Sequence, residues 1–241
     1  MRSILKLFMA KNKSKSTQPD FLEEENKKLT DAFLNAEYYF EKYRNIIIGA
    51  IAAIVLVGGG YWVYTNMIKG PKEEKAKNAI FFAQQYFDAD SMRLALNGDG
   101  KNAGFATIAK QFGGTAAGNR ANFGAGVASL KLGKYADAIK YLSDFSTDDA
   151  LLNARKFGCI ADAYAEQNQM DKAIENYKKA AAADNEFTTP TYTFRAALAL
   201  SQKGNNKEAL ELYKKIYADF PNSQEGAASE IYIAKLEAQT F

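Results

Sequence analysis

Histidine is missing from the 241 residues altogether, and cysteine occurs once. Without histidine there is no Ser-His-Asp triad, no imidazole base near neutrality and no His-containing zinc site. A single cysteine forms no internal disulfide and no four-cysteine metal cage. Cys159 sits among Phe157, Ile160 and Ala161, the surroundings of a small buried hydrophobe. No phosphate-binding loop and no paired-cysteine motif occurs. "NGDGKNAG" (97–104) lacks the ligand spacing and closing glutamate of a calcium loop and reads as a surface turn. Asp148 and Asp149 follow Ser146 and Thr147 in the manner of a helix N-terminus, not of an acid–base pair. A concentrated positive charge is lacking too. Met1–Arg44 holds nine basic and seven acidic residues, and the chain from Lys69 holds 22 and 21. That balance excludes a nucleic-acid footprint. The sequence therefore offers no catalytic, metal-ligating or cofactor-binding residues, and no small-molecule substrate is expected.

One long uncharged run is present. The 24 residues from Asn45 to Ile68 carry no charge, and about 20 apolar residues suffice for a helix to cross a bilayer. Tyr61, Trp62 and Tyr64 form an aromatic belt at one end, and Tyr38, Tyr39 and Tyr43 stand at the other. The run begins too far from Met1, and is too long, for a cleaved signal peptide; it reads as a signal anchor. Lysines and arginines near the two ends are matched four to four, but the tail adds Arg2, Lys6, Lys11, Lys13 and Lys15. This places the N-terminus in the cytoplasm. Residues 1–44 form the cytoplasmic tail and 45–68 the membrane helix. In the tail, "KNKSKSTQPD" is a polar low-complexity run. A helix follows from about residue 29, capped by Thr30 or Asp31, with Phe33, Leu34, Tyr38 and Tyr43 on one face. It either extends the span into the membrane interface or offers a docking surface to a membrane partner.

The remainder, 69–241, repeats itself. "LGKYADAIKYLSDF", "NQMDKAIENYKKAA" and "KGNNKEALELYKKI" align on Ala138, Ala173 and Ala209, at spacings of 35 and 36. Five residues before each alanine stands Gly133, Asn168 or Gly204, residues that enter the left-handed conformation cheaply. Four residues after come Leu142, Tyr177 and Tyr213, one helical turn on. Each unit is a helix–turn–helix that buries its apolar stripe only against its neighbours. The units span about 119–152, 154–187 and 190–223. Degenerate helices fill 72–118, the first opened by Pro71 and carrying Ile80, Phe81, Ala83, Tyr86 and Phe87; "NGDGKNAG" breaks it. A cap helix with a polar outer face closes the stack at 224–238. The fold class is all-α: one transmembrane helix followed by a solenoid of helical hairpins.

A period near 34 with Gly126, Ala161, Ala197 and the residues above resembles the tetratricopeptide repeat. The layout of short tail, single span and repeat domain resembles the bacterial inner-membrane tetratricopeptide proteins of the YfgM type, ancillary subunits of the Sec translocon. That resemblance implies a C-terminal domain in the periplasm and protein partners: the translocon, periplasmic chaperones and unfolded secreted clients. It also implies a binding groove on the first helices, at Arg120, Phe123, Val127 and Lys131, then Arg155, Asp162 and Glu166, then Thr191, Phe194, Leu198 and Gln202. The four apolar members could equally pack against a neighbouring helix. Phe123 and Val127 stand where one subset of the family carries carboxylate-gripping residues, which argues against a carboxylate clamp. A structural scaffold binding one fixed envelope partner is the alternative function.

Overall fold

The computed structural model describes residues 19–238, and among them the only departure from helices and turns is one isolated bridge between Gly98 and Ala103. The chain divides into two compact units between Tyr64 and Thr65.

The first unit is a single helix, α1 (Pro19–Val63), of 45 residues. It starts well before residue 29, with Pro19 in the first turn, where its fixed φ and missing N–H cost nothing. Thr30 is accordingly not a cap: its hydroxyl donates to the Asn26 carbonyl at 2.7 Å, one turn back inside the helix. From Pro19 the expected tail helix and the apolar run form one uninterrupted element, and residues 1–18 lie outside the described residues. The helix is long and apolar enough to cross a membrane, and none of its most apolar window is buried. A Cβ at Gly58, Gly59 or Gly60 would meet nothing within 4 Å, so no contact within the chain demands these glycines. A π-helical segment, Tyr64–Lys69, covers the boundary.

The second unit begins with α2 (Gly70–Asp88), which buries Ala76 and Ala83 and half-buries Ile80, Tyr86 and Phe87. Phe81 does not share that face. It stands about 100° round from Ile80 and is exposed. The helix also breaks earlier than expected, at Asp90, which adopts φ +56°. Then come α3 (Met92–Asn97), the turn 98–104 and α4 (Phe105–Gln111). The Asp99 carboxylate organises the turn. It accepts from the Lys101 and Asn102 amides at 2.8 and 2.5 Å, and from the Tyr86 hydroxyl at 2.6 Å. These donors hold it well below the usual carboxylate range, Tyr86 contributing most.

Three hairpins follow: α5 (Ala116–Lys131) with α6 (Tyr135–Asp144), α7 (Ala150–Glu166) with α8 (Met170–Ala181), and α9 (Thr188–Gln202) with α10 (Asn206–Asp219); α11 (Gln224–Ala238) packs on the last. Gly133, Asn168 and Gly204 turn the three hairpins at φ +72°, +58° and +81°. Ala138, Ala173 and Ala209 are fully buried, and Leu142, Tyr177 and Tyr213 are buried one turn later. Gly126 faces Leu142 so closely that a Cβ would lie 2.5 Å from its Cγ, whereas Ala161 and Ala197 occupy the same place in the next units. The helix starts are fixed by polar partners. Thr115 Oγ1 accepts from Gly118 N at 2.9 Å, and Asp149 caps α7 through Leu152 N at 2.9 Å. From α2, the Glu73 carboxylate accepts from the Ala116 and Ala117 amides at 2.7 and 3.2 Å, a distant acid on the positive end of α5. The face of α11 turned from the stack is not polar throughout. It exposes Ile231 with Ala227 and Ala234 beside Glu230 and Lys235.

Candidate protein-binding groove

The first helices of successive units touch, α5 against α7 and α7 against α9. Residues one turn apart along them share a face. The structure sorts the anticipated groove residues into two sets. Arg120, Lys131, Arg155, Glu166 and Gln202 are exposed, and Asp162 and Thr191 are half-buried. The apolar four pack against neighbouring helices instead of standing free. Val127 is 6% exposed beside Leu142 and Ile160, so its surface is already used inside the stack. Phe123 meets Phe145 at 5.0 Å between ring centroids. Phe194 lies edge-on to Tyr213 and Tyr232, both at 5.4 Å, and Leu198 joins the same cluster. Phe123, Phe194 and Leu198 keep part of their surface outward. At the edges, Lys131 pairs with Asp90 at 2.7 Å, and Thr191 donates to Glu225 Oε1 at 2.7 Å.

Asp162 and Glu166 line a cleft of about 310 Å³ together with Leu130, Tyr135, Ala165, Tyr177 and Arg195. Arg195 Nη1 reaches both Asp162 oxygens, at 2.8 and 2.7 Å, from the neighbouring unit. The Tyr177 hydroxyl donates to Asp162 Oδ1 at 2.5 Å, and Tyr135 donates to Glu166 Oε2 at 3.0 Å. Burial, and then the bond to Asp162, push the Tyr177 hydroxyl far above its ordinary value; the bond to Glu166 raises Tyr135. Both phenols stay protonated donors, and the cleft is a set polar network with an apolar floor. Sequence reading missed Arg195, Tyr135 and Leu130, and placed Tyr177 only in the core. The available signal was the opposite charge of Asp162 and Arg195, 33 residues apart, close to one repeat.

Cys159 lies on α7 near this cleft, and burial pushes its thiol up to about 11. The fold therefore favours the neutral thiol, while the unfolded chain ionises near 9.0. The stability this confers is complete below that value and is lost as pH rises toward the folded one. A rise of that size leaves roughly a hundredfold less thiolate. At pH 8, iodoacetamide should alkylate Cys159 roughly tenfold more slowly in the native protein than in denaturant, because the greater nucleophilicity of a high-pKa thiolate offsets part of the loss. Equal rates would mean that the thiol is open to solvent.

Residues 160–224, from within α7 to the start of α11, match a family model described as tetratricopeptide repeat. No curated protein matches the chain. The matched stretch contains the turn residues, the buried alanines and the tyrosines already described, and the hairpins before it have the same build. Among the described residues the fold is all-α, one long apolar N-terminal helix followed by a stack of hairpins, and its stretch 160–224 is similar to tetratricopeptide repeats, a module that binds other proteins.

Proposed function

We propose that the protein is a single-pass membrane-anchored adaptor without enzymatic activity. Its N-terminus lies in the cytoplasm and its repeat domain in the periplasm, beside the Sec translocon, where it holds emerging secreted proteins and passes them to chaperones. One observation carries this reading: a helix with none of its most apolar window buried shares a chain with a repeat module whose first helices keep a charged, partly apolar face outward. Such a face suits extended or partly folded peptides, with apolar centres for side chains and charged rims for orientation. The resemblance of the layout from Asp31 onward to the YfgM type is the ground for proposing the translocon and the compartment. A second reading, a scaffold for one fixed envelope partner, is favoured by the preset Arg195–Asp162–Tyr177 network, which suits a single complementary surface better than many clients.

In-cell photocrosslinking tests both. Photoreactive residues at Arg155, Glu166 and Gln202 should give adducts with channel subunits and a range of secreted chains, whereas controls at Lys140 and Lys214 on the second helices should give none. A single stoichiometric adduct would select the scaffold. Adducts from the second helices alone would overturn the groove.

A further inference from the structure

Among the described residues of its own unit, the arm of α1 that precedes the apolar run has nothing to pack against. Leu29, Phe33, Phe40 and Tyr43 are 57%, 69%, 54% and 40% exposed. An isolated helix gains no tertiary support in water, and its stability is marginal. Many of the apolar positions fit a seven-residue pattern, with Leu34, Tyr38 and Tyr39 outside it. With Asn26, Phe33, Phe40, Ile47 and Ile54 at a, the d positions are Leu29, Ala36, Tyr43, Ala50 and Val57. The span is apolar all round, so the informative part is the arm. Seven charged residues lie in the stretch from Lys27 through Arg44, and every one falls off the a/d seam. A 3.5-residue repeat of this kind marks a helix wound against another helix. The apolar residues outside the seam include Tyr38, whose ring lies under Lys42 at 5.7 Å.

We propose that α1 pairs in parallel and in register with α1 of a second copy, along the seam through Leu29, Phe33, Ala36, Phe40 and Tyr43. Charge does not oppose this occupant. In the parallel arrangement each g residue meets the e residue five places on in the partner. Ala32 meets Glu37, Tyr39 meets Arg44, and no like charges are set together; the second pair places a guanidinium beside an aromatic ring. Asn26 at an a position meets its own copy, a device that fixes register and favours two strands. Area agrees. Buried aromatic side chains contribute roughly 150–250 Å² each, so at their present exposure the arm residues hide on the order of 400 Å². The span's seam residues Ile54 and Val57, 71% and 74% exposed, extend the interface toward the roughly 800 Å² per partner usual for stable pairs. The parallel sense rests on the membrane reading, since copies inserted the same way face the same way; the pairing itself does not.

The test places single cysteines in the full-length chain on a Cys159→Ala background, treats membranes with a short bis-maleimide, and separates the fractions. Variants at positions 29, 33, 36, 40 and 43 should yield a covalent dimer, and variants at 31, 35, 41 and 42 should not. Double substitution Phe33→Glu with Phe40→Glu should abolish the dimer from position 36 and leave the helical signal of the repeat domain unchanged. The proposal falls if seam and off-seam positions link equally, if none links although every variant reaches the membrane, or if the adduct joins a protein of different mass. Seam dimers recovered from the soluble fraction would uphold the pairing and overturn the membrane reading.

Discussion

Tyr213→Ala should lower the stability of the repeat unit by about 3–5 kcal/mol, the range for removing a buried aromatic ring. Tyr213 is fully buried, stacked on Tyr232 at 4.9 Å between centroids and met edge-on by Phe194. Its ring joins three helices, α9, α10 and α11. In a stack of repeats each unit leans on its neighbours, so the loss falls first on the terminal ones. Hydrogen exchange should therefore show 206–238 opening while α5 to α8 stay protected, and the thermal transition should broaden. Tyr213→Phe is the control. Ser201 lies near the hydroxyl without making a well-formed hydrogen bond to it, so deleting the hydroxyl should change stability by less than about 1 kcal/mol. Burial pushes that hydroxyl up to about 12, which agrees with a phenol that never ionises in the fold. A uniform loss of protection, or a phenylalanine variant as weak as the alanine one, would show that the ring does not clamp the end of the stack.

The repeats were legible because their turns need residue types that few other places need. Gly133, Asn168 and Gly204 announce positive φ, and the alanines and tyrosines that follow keep helical spacing. What escaped was set by contacts between distant residues. Glu73 caps α5 across 43 residues, and no local pattern announces that. Asp90 ends α2 without a glycine, so the break was assigned to the glycine-rich turn further on. Thr30 and Asp31 are good cap residues, but Pro19 starts the helix first, and a strong helical run then carries through them. In the groove, family positions identified Asp162 and Glu166. They did not identify Arg195, Tyr177 and Tyr135, which reach the same cleft from other helices. Val127 and Phe194 show the converse: a residue on the right face is taken into the core when the neighbouring helix comes close enough.

Gly158→Ala sets two effects against each other on α7. Replacing a mid-helix glycine by alanine favours the helix by about 0.5–1 kcal/mol. Here, however, the new Cβ would lie 2.1 Å from Tyr192 Cε1, 2.3 Å from Cζ and 2.5 Å from the hydroxyl oxygen. Overpacking of this kind costs about 1–3 kcal/mol. The clash should win, for a net loss of about 1–2 kcal/mol. The effect on binding should exceed the effect on stability. Arg195 lies over the Tyr192 ring at 5.8 Å while it holds Asp162, so a displaced ring moves the cleft's bridge between the second and third hairpins. Photocrosslinks from Glu166 should fall accordingly. Truncating the ring should reverse the sign. In a Tyr192→Ala background the space is open, and adding Gly158→Ala should then stabilise by its helix propensity alone, a coupling of about 1–3 kcal/mol in a double-mutant cycle. If Gly158→Ala stabilises the otherwise unchanged protein, Tyr192 does not lie over α7, and the contact that joins the second unit to the third must be made elsewhere.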